Sequence, residues 1–260
     1  MRTAILHGRV ITPFQVIEDG SVIIENGKIL AVLDDTAAVA ADDVFDAEGL
    51  YISPGFIDIH THGGGGFDYM DGTLEAFVGA AKTHLRYGTT SLTPTTLSCS
   101  DEELFTVLQC YETAKAELTD GPNLLGLHLE GPYFAPAQAG AQDPRYLRLP
   151  DTAHVRSLLD ASGSIVRMSA AAELSGALAL GDELKKRGIL ASIGHSDALY
   201  SDVIEAVKHG YRLVTHLYSG MSMLKRIGAW RHLGLVESAY LLDELSVEII
   251  ADGCHLPPEL

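Results

Sequence analysis

The sequence predicts an α/β fold: a TIM-like (β/α)8 barrel of parallel strands preceded by a small β segment. Three observations lead there. From residue 53 onward, short apolar β-rich runs alternate with amphipathic helical stretches, the pattern of a parallel sheet. The runs are nearly continuous in apolar residues, as in strands covered on both faces. Histidines and a glutamate gather at the C-terminal ends of those runs, the end where barrels carry their polar sites.

Residues 1–52 read as strands and turns. Ala4-Ile5-Leu6 and Val10-Ile11-Thr12 flank His7-Gly8-Arg9. Ser21–Glu25, Asn26-Gly27 and Lys28–Val32 read as a hairpin with an Asn-Gly turn. Such a segment is too small to be comfortable alone. The strand candidates after it are Gly55–His60, Thr90–Pro94, Leu124–Leu129, Ile165–Ala170, Leu190–Ile193, Leu213–His216 and Val247–Ala251. Helical patterns include Leu74–Tyr87, Asp101–Leu118, Leu174–Arg187 and Ser201–His209. These seven strands fall one short of the eight a barrel needs, and the sequence stops at Pro257-Pro258-Glu259-Leu260. The expectation is therefore two domains, 1–52 and 53–260, the second a barrel cut short after its seventh strand.

Composition excludes several classes. At 47% hydrophobic and 20% charged, the chain is neither disordered nor a fibrous rod or coiled coil. Eighteen Lys and Arg against 35 Asp and Glu leave a net charge of −17, which repels phosphate backbones and argues against a nucleic-acid partner. No run approaches the ~20 apolar residues of a membrane span. His7 and Arg9 interrupt the N-terminus where a signal peptide would have its apolar region, so the expected location is the cytoplasm. Cys99, Cys110 and Cys254 are widely spaced and odd in number, which predicts free thiols.

The strand ends carry the chemistry. The first closes on Asp58-Ile59-His60-Thr61-His62. His60 and His62 are two residues apart and share a strand face, a geometry suited to a divalent metal. The third closes on His128-Leu129-Glu130-Gly131-Pro132, where Glu130 can bind or bridge metals and His128 suits a buried packing role. His195 follows the fifth strand and His216 the sixth. Glu130, His195 and His216 make three protein ligands with an open position, the catalytic zinc pattern. The Gly63–Gly66 run lacks the Gly-Lys-Ser/Thr of a phosphate loop. His255 follows the seventh strand and can face substrate. His7, His84, His154, His209 and His232 read as surface or packing residues.

Together these motifs resemble the N-acetylglucosamine-6-phosphate deacetylase family of the amidohydrolase superfamily. Pro54–Gly63 resembles the opening of amidohydrolase barrels. His128–Pro132, Gly194-His195-Ser196, Thr215–Tyr218 and Ile250–His255 are similar to the deacetylases, in order along the chain. The resemblance implies metal ligands Glu130, His195 and His216, with a second metal where His60 and His62 are both kept. Glu and His ligands accept zinc, the first choice, or iron, manganese or cobalt. The resemblance also implies a phosphorylated amino-sugar substrate touched by His255, a homodimer, and a barrel with a small β-sandwich to which the N-terminal strands contribute. Acetamide hydrolysis would release acetate and glucosamine 6-phosphate.

Departures from the family pattern bear on the substrate. Where the family reads Lys-Gly-Ala-His, this chain has Ala139-Gly140-Ala141-Gln142, so Gln142 stands in for a sugar-contacting His. Ser219-Gly220 replaces a phosphate-contacting segment, and Arg226, with Arg231 behind it, is the nearest match to a phosphate arginine from the neighbouring subunit. The family's catalytic Asp, at the end of an eighth strand, falls beyond Leu260, so the expectation is a fragment with little activity of its own. Other amidohydrolases bridge two metals with a carboxylated Lys on the fourth strand; Ile165–Ala170 has none. A different acyl substrate, or a non-catalytic metal-binding fragment, are the alternatives.

Overall fold

The computed structural model describes residues 1–35 and 40–260. Two compact units emerge, Met1–Phe56 and Ile57–Leu260.

In the first unit, Arg2–Ile11 (β1) is the central strand. It pairs antiparallel with Val16–Glu25 (β2) and parallel with Asp43–Asp46 (β4) and Tyr51–Ile52 (β5), and Lys28–Leu33 (β3) adds to β2. The β2–β3 turn is the expected one. Asn26 and Gly27 both have positive φ, 52° and 76°, which matches the twist of a two-residue hairpin. The expected break at His7-Gly8-Arg9 is instead an irregularity inside one strand. Register shifts on both sides of Gly8 bend β1, and a Cβ at Gly8 would lie 2.3 Å from Ile52 Cδ1. Glycine is what lets β5 lie against β1 there.

In the second unit, seven parallel-type strands follow one another in chain order. They are Phe56–Thr61, Thr89–Pro94, Leu127–Glu130, Ile165–Ala170, Leu190–Ile193, Tyr211–Val214 and Ser246–Val247. The first two share a sheet and the last five share another, each neighbouring its successor. A parallel bridge between Thr95 and His128 joins the two sets. The sheet curls strongly: Arg167 on the fourth strand reaches both Ile59 O on the first and Glu248, just past the seventh.

Helices pack outside the strands and are capped by their own sequence. Leu74–Arg86 (α1) begins at Thr73, whose side chain accepts from Ala76 N. Asp101–Glu117 (α2) begins with a Ser100/Glu103 capping box. Asp151 caps Thr152–Ala161 (α3). Ala177–Arg187 (α4), Tyr200–Lys208 (α5) and Leu235–Leu241 (α6) complete the set. α4 starts three residues later than the pattern from Leu174 suggests, because Gly176 sits at φ 95°. Phe77, Leu108, Leu129, Leu158 and Leu184 are buried in one continuous core. Each such side chain contributes about 1.5–3 kcal/mol relative to exposure.

Two strands differ from expectation for local reasons. The run at 124–129 is split: Asn123–Leu124 pairs with the second strand and Leu127–Glu130 with the fourth. Gly126, at φ 150°, makes the break. The seventh ladder closes by Glu248 rather than Ala251. Glu248 N donates to Val214 O and Leu217 N donates to Glu248 O. The partner strand then turns away at His216, whose φ is 33°. Among the described residues, no helix is long and apolar enough to cross a membrane.

Candidate metal centre

Five side chains converge at the strand ends. His60 comes from the first strand and His62 from the residue just past its end, Glu130 from the third, His195 from the turn after the fifth, and His216 from the turn after the sixth. Both late histidines have positive φ, 46° and 33°. That conformation costs a non-glycine residue about 1–3 kcal/mol and persists where the surroundings impose it. Gly220 supports the arrangement. Its O accepts from Ser196 N, and a Cβ on it would come within 3.0 Å of His195 Nδ1.

Glu130 lies at the middle, 2% exposed. Its Oε1 is 3.0 Å from His216 Nε2 and 3.3 Å from both His195 Nε2 and His60 Nε2. Its Oε2 is 3.3 Å from His62 Nε2. The two metal-competent triads, His60/His62/Glu130 and Glu130/His195/His216, therefore share one carboxylate.

The outer nitrogens decide what the inner ones present. His195 Nδ1 lies 2.8 Å from Gln138 O and His62 Nδ1 lies 3.2 Å from Thr95 O. A carbonyl only accepts, so these Nδ1 atoms carry the proton and leave Nε2 lone pairs facing inward. His60 Nδ1 is 2.7 Å from Glu248 Oε1. His216 Nδ1 finds no partner among the described residues. His60 and His62 Nε2 are 3.3 Å apart, and His195 and His216 Nε2 are 3.2 Å apart. Facing lone pairs at that distance repel unless a cation or proton lies between them. Ligand atoms bonded at 2.0–2.1 Å to a tetrahedral ion stand roughly 3.3 Å apart. The donor set thus fits a divalent metal.

Beneath the ligands lies a buried polar layer. His128 Nε2 bonds Ser169 Oγ at 2.7 Å, and its Nδ1 lies 3.2 Å from Thr95 Oγ1. Ser169 Oγ meets Thr215 Oγ1 at 2.8 Å. Arg167 donates to Ser192 Oγ, Thr215 Oγ1 and Glu248 Oε2. His128 is fully buried, as its sequence context suggests. Burial, then the positive charge of Arg167, hold its pKa well below the usual value, so it is neutral.

Electrostatics in the metal-free protein follow from this packing. Burial pushes the Glu130 pKa up, but the rings of His195, His216, His60 and His62, which donate to the carboxylate when a proton takes the place of a metal on Nε2, outweigh it and hold the carboxyl well below its usual range. Burial works against the charged His60 ring, yet hydrogen bonds to Glu130 and Glu248 raise its pKa from 6.5 to about 9. The protonated ring therefore stabilises the metal-free fold fully below pH 6.5, and that contribution is lost as pH rises through 9. The expected loss is on the order of 3 kcal/mol. Chemical denaturation of metal-free protein at pH 6 and pH 9.5 checks it; equal stability at both values contradicts it.

The remaining candidates lie elsewhere. Gln142, expected against the sugar, is 3% exposed with both amide ends engaged. Its Oε1 accepts from Ser98 N and its Nε2 donates to Glu130 Oε2, each at 2.8 Å. Ser219 N donates to His216 O in the turn beside Gly220. Arg226 is exposed on the hairpin Lys225–Ile227/Trp230–His232, its Nε bonded to Gly228 O. His255 sits on an exposed turn, its ring bonded to Asp252, and is not drawn into the ligand cluster. His84 and His154 are not idle surface residues. His84 Nε2 lies 2.9 Å from Thr61 Oγ1, and His154 Nδ1 lies 2.7 Å from the buried Tyr133 OH. Cys99, Cys110 and Cys254 are free thiols.

Comparison with known proteins agrees with the geometry. Residues 51–260 match the amidohydrolase family. N-acetylglucosamine-6-phosphate deacetylase of Bacillus subtilis (strain 168) is 32% identical over 254 residues, covering 96% of this chain and 63% of that protein. N-acetylgalactosamine-6-phosphate deacetylase of Escherichia coli O157:H7 is 31% identical over 251 residues, covering 96% and 64%. The structure of N-acetyl-D-glucosamine-6-phosphate deacetylase from Mycobacterium smegmatis, in complex with N-acetyl-D-glucosamine-6-phosphate, superposes with a TM-score of 0.88 at 28% identity, over 99% of this chain and 65% of that one. The chain thus spans less than two thirds of the length of these relatives. With a family match over most of its length and a shared-carboxylate ligand cluster at its strand ends, the chain belongs to the amidohydrolase family.

Proposed function

We propose that this chain carries the metal centre of an N-acetylglucosamine-6-phosphate deacetylase, hydrolysing the acetamide to acetate and glucosamine 6-phosphate. The observation that carries the reading is Glu130 shared between two histidine pairs. In this reading the second unit is seven strands of a (β/α)8 barrel, and the first contributes to a small β-sandwich. The protein is a cytoplasmic homodimer.

Glu130, His195 and His216 hold the primary divalent ion, zinc in first place, and His60 and His62 with Glu130 hold a second. A divalent ion bound there supplies Lewis acidity and lowers the pKa of water for attack on the amide. Gln142 holds Glu130 in place and so acts behind the carboxylate. Neutral His128 adds no charge beneath it. Ser219-Gly220 frames the substrate beside His195. Arg226, on its exposed hairpin, reaches the sugar phosphate in a second copy, and His255 approaches the sugar. Proton transfer to the leaving amine is assigned to no residue of 1–260.

The test has two parts. Metal titration is expected to show two steps, and His60→Ala with His62→Ala to remove one of them; a single step in the unsubstituted protein contradicts the second position. N-acetylglucosamine 6-phosphate and its galactosamine isomer are then offered to the metal-loaded protein, with binding followed by calorimetry and acetate by coupled assay. Preference for the gluco sugar supports the reading, preference for the galacto sugar moves it to the isomer, and neither binding nor release overturns it.

A further inference from the structure

We infer that Glu248, anchored by Arg167, is the positioning residue that aims His60 at the second metal position. The inference rests on the two-ion reading above.

Glu248 follows directly on the seventh strand and is 188 residues away from His60 in sequence. Its Oε1 lies 2.7 Å from His60 Nδ1 and accepts from His216 N at 3.0 Å. Its Oε2 accepts from Arg167 Nη1 at 2.5 Å. Arg167 has no freedom to leave: its Nε and Nη2 donate to Ser192 and Thr215, and Nη1 also donates to Ile59 O beside His60. Arg167 is 3% exposed, and the Glu248 side chain is 10% exposed.

The consequence is geometric. A carboxylate on Nδ1 fixes which ring nitrogen carries the proton and how the ring is turned, and makes the opposite nitrogen a better donor to a metal. His62 and His195 have backbone carbonyls in that role. His60 alone among the four has a charged acceptor. Because the same Oε1 also holds the His216 backbone, Glu248 ties the two triads together. Its effect on the first is weaker, since the His216 ring is not in its grasp. A buried ion pair is also a poor source of stability in itself, because removal from water offsets most of the attraction. Its position behind a ligand gives it a purpose that stability does not.

The test is calorimetric titration of metal-free protein with Zn²⁺, with visible spectra of the Co²⁺ form as a second readout. Glu248→Gln is expected to weaken the step that depends on His60 and His62 by roughly 10–100-fold, the other step less, and to shift the Co²⁺ bands. The double variant Arg167→Met with Glu248→Leu removes the charges together, so neither is left buried without its counter-charge; it is expected to fold and to show the same selective loss. Parent-like titrations in the folded double variant, or equal weakening of both steps, overturn the inference. A parent that binds metal identically to His60→Ala/His62→Ala overturns both this inference and the second ion. Selective loss with neither binding of the phosphosugar nor acetate release leaves the inference standing and removes the substrate assignment.

Discussion

Glu130→Gln is expected to abolish metal retention at both positions at once. Elemental analysis after desalting should fall close to zero per chain, whereas His195→Ala leaves the His60/His62/Glu130 triad in place. The reason is topological. Each histidine belongs to one triad, and Glu130 belongs to both. It is also the sole anion in the ligand set, so the amide removes the charge that holds four imidazoles within 3.3 Å of its oxygens. Loss of even a supporting contact typically costs 10–100-fold in metal affinity, and here a bridging ligand is lost. Gln142 sharpens the contrast. Its Nε2 donates to Glu130 Oε2, and it has no acceptor to offer a metal there. Gln142→Leu should therefore reduce affinity without emptying the site. Two ions retained by Glu130→Gln would mean that the histidines alone make the centre.

Much of this candidate site is legible because its candidate ligands sit where the backbone period makes them visible. His60 and His62 share a strand face, and Glu130, His195 and His216 each close an apolar run. The supporting residues were harder to read, for a physical reason. Glu248 lies within Val247-Glu248-Ile249-Ile250, and Arg167 within Ile165-Val166-Arg167-Met168. Each is one charge in an apolar strand, and such a charge is buried and must find an opposite partner. That signal was present, but pairing these two across 81 residues needs the curl of the sheet. The strand at 165–170 has no lysine, and its single charge is Arg167. Gln142 shows the complementary limit. Its distance from Glu130 along the chain is short, yet only the loop after Pro132 decides that its amide donates to the carboxylate. The N-terminal hairpin needed no such context, since Asn26-Gly27 encodes its own turn.

The second large effect concerns the Arg167–Glu248 pair as a unit of stability. Arg167→Met alone is expected to destabilise the protein by about 3–5 kcal/mol, because it leaves a carboxylate in the interior without its cation. Glu248 accepts from three groups, His60 Nδ1, His216 N and Arg167 Nη1. Only Arg167 and a protonated His60 can balance its charge. Burial pushes the Glu248 pKa up, while the hydrogen bonds from His60 and Arg167 bring it down to about 2. With Arg167 gone, His60 becomes the only counter-charge, and a bound metal competes for that ring. The single variant should therefore be least stable above pH 9, where His60 is neutral, and should recover on acidification as Glu248 gains a proton. The double variant with Glu248→Leu should regain most of the lost stability at every pH, because neither charge remains to be balanced. Urea denaturation of the three proteins from pH 5 to pH 9.5 measures both differences. A single variant as stable as its parent at pH 9.5 would show that Glu248 is solvated and does not depend on Arg167. A double variant no better than the single would place the loss in the Ser192 and Thr215 contacts of the guanidinium, where removing two donors leaves the buried Ser192 hydroxyl without a partner and Thr215 with Ser169 alone.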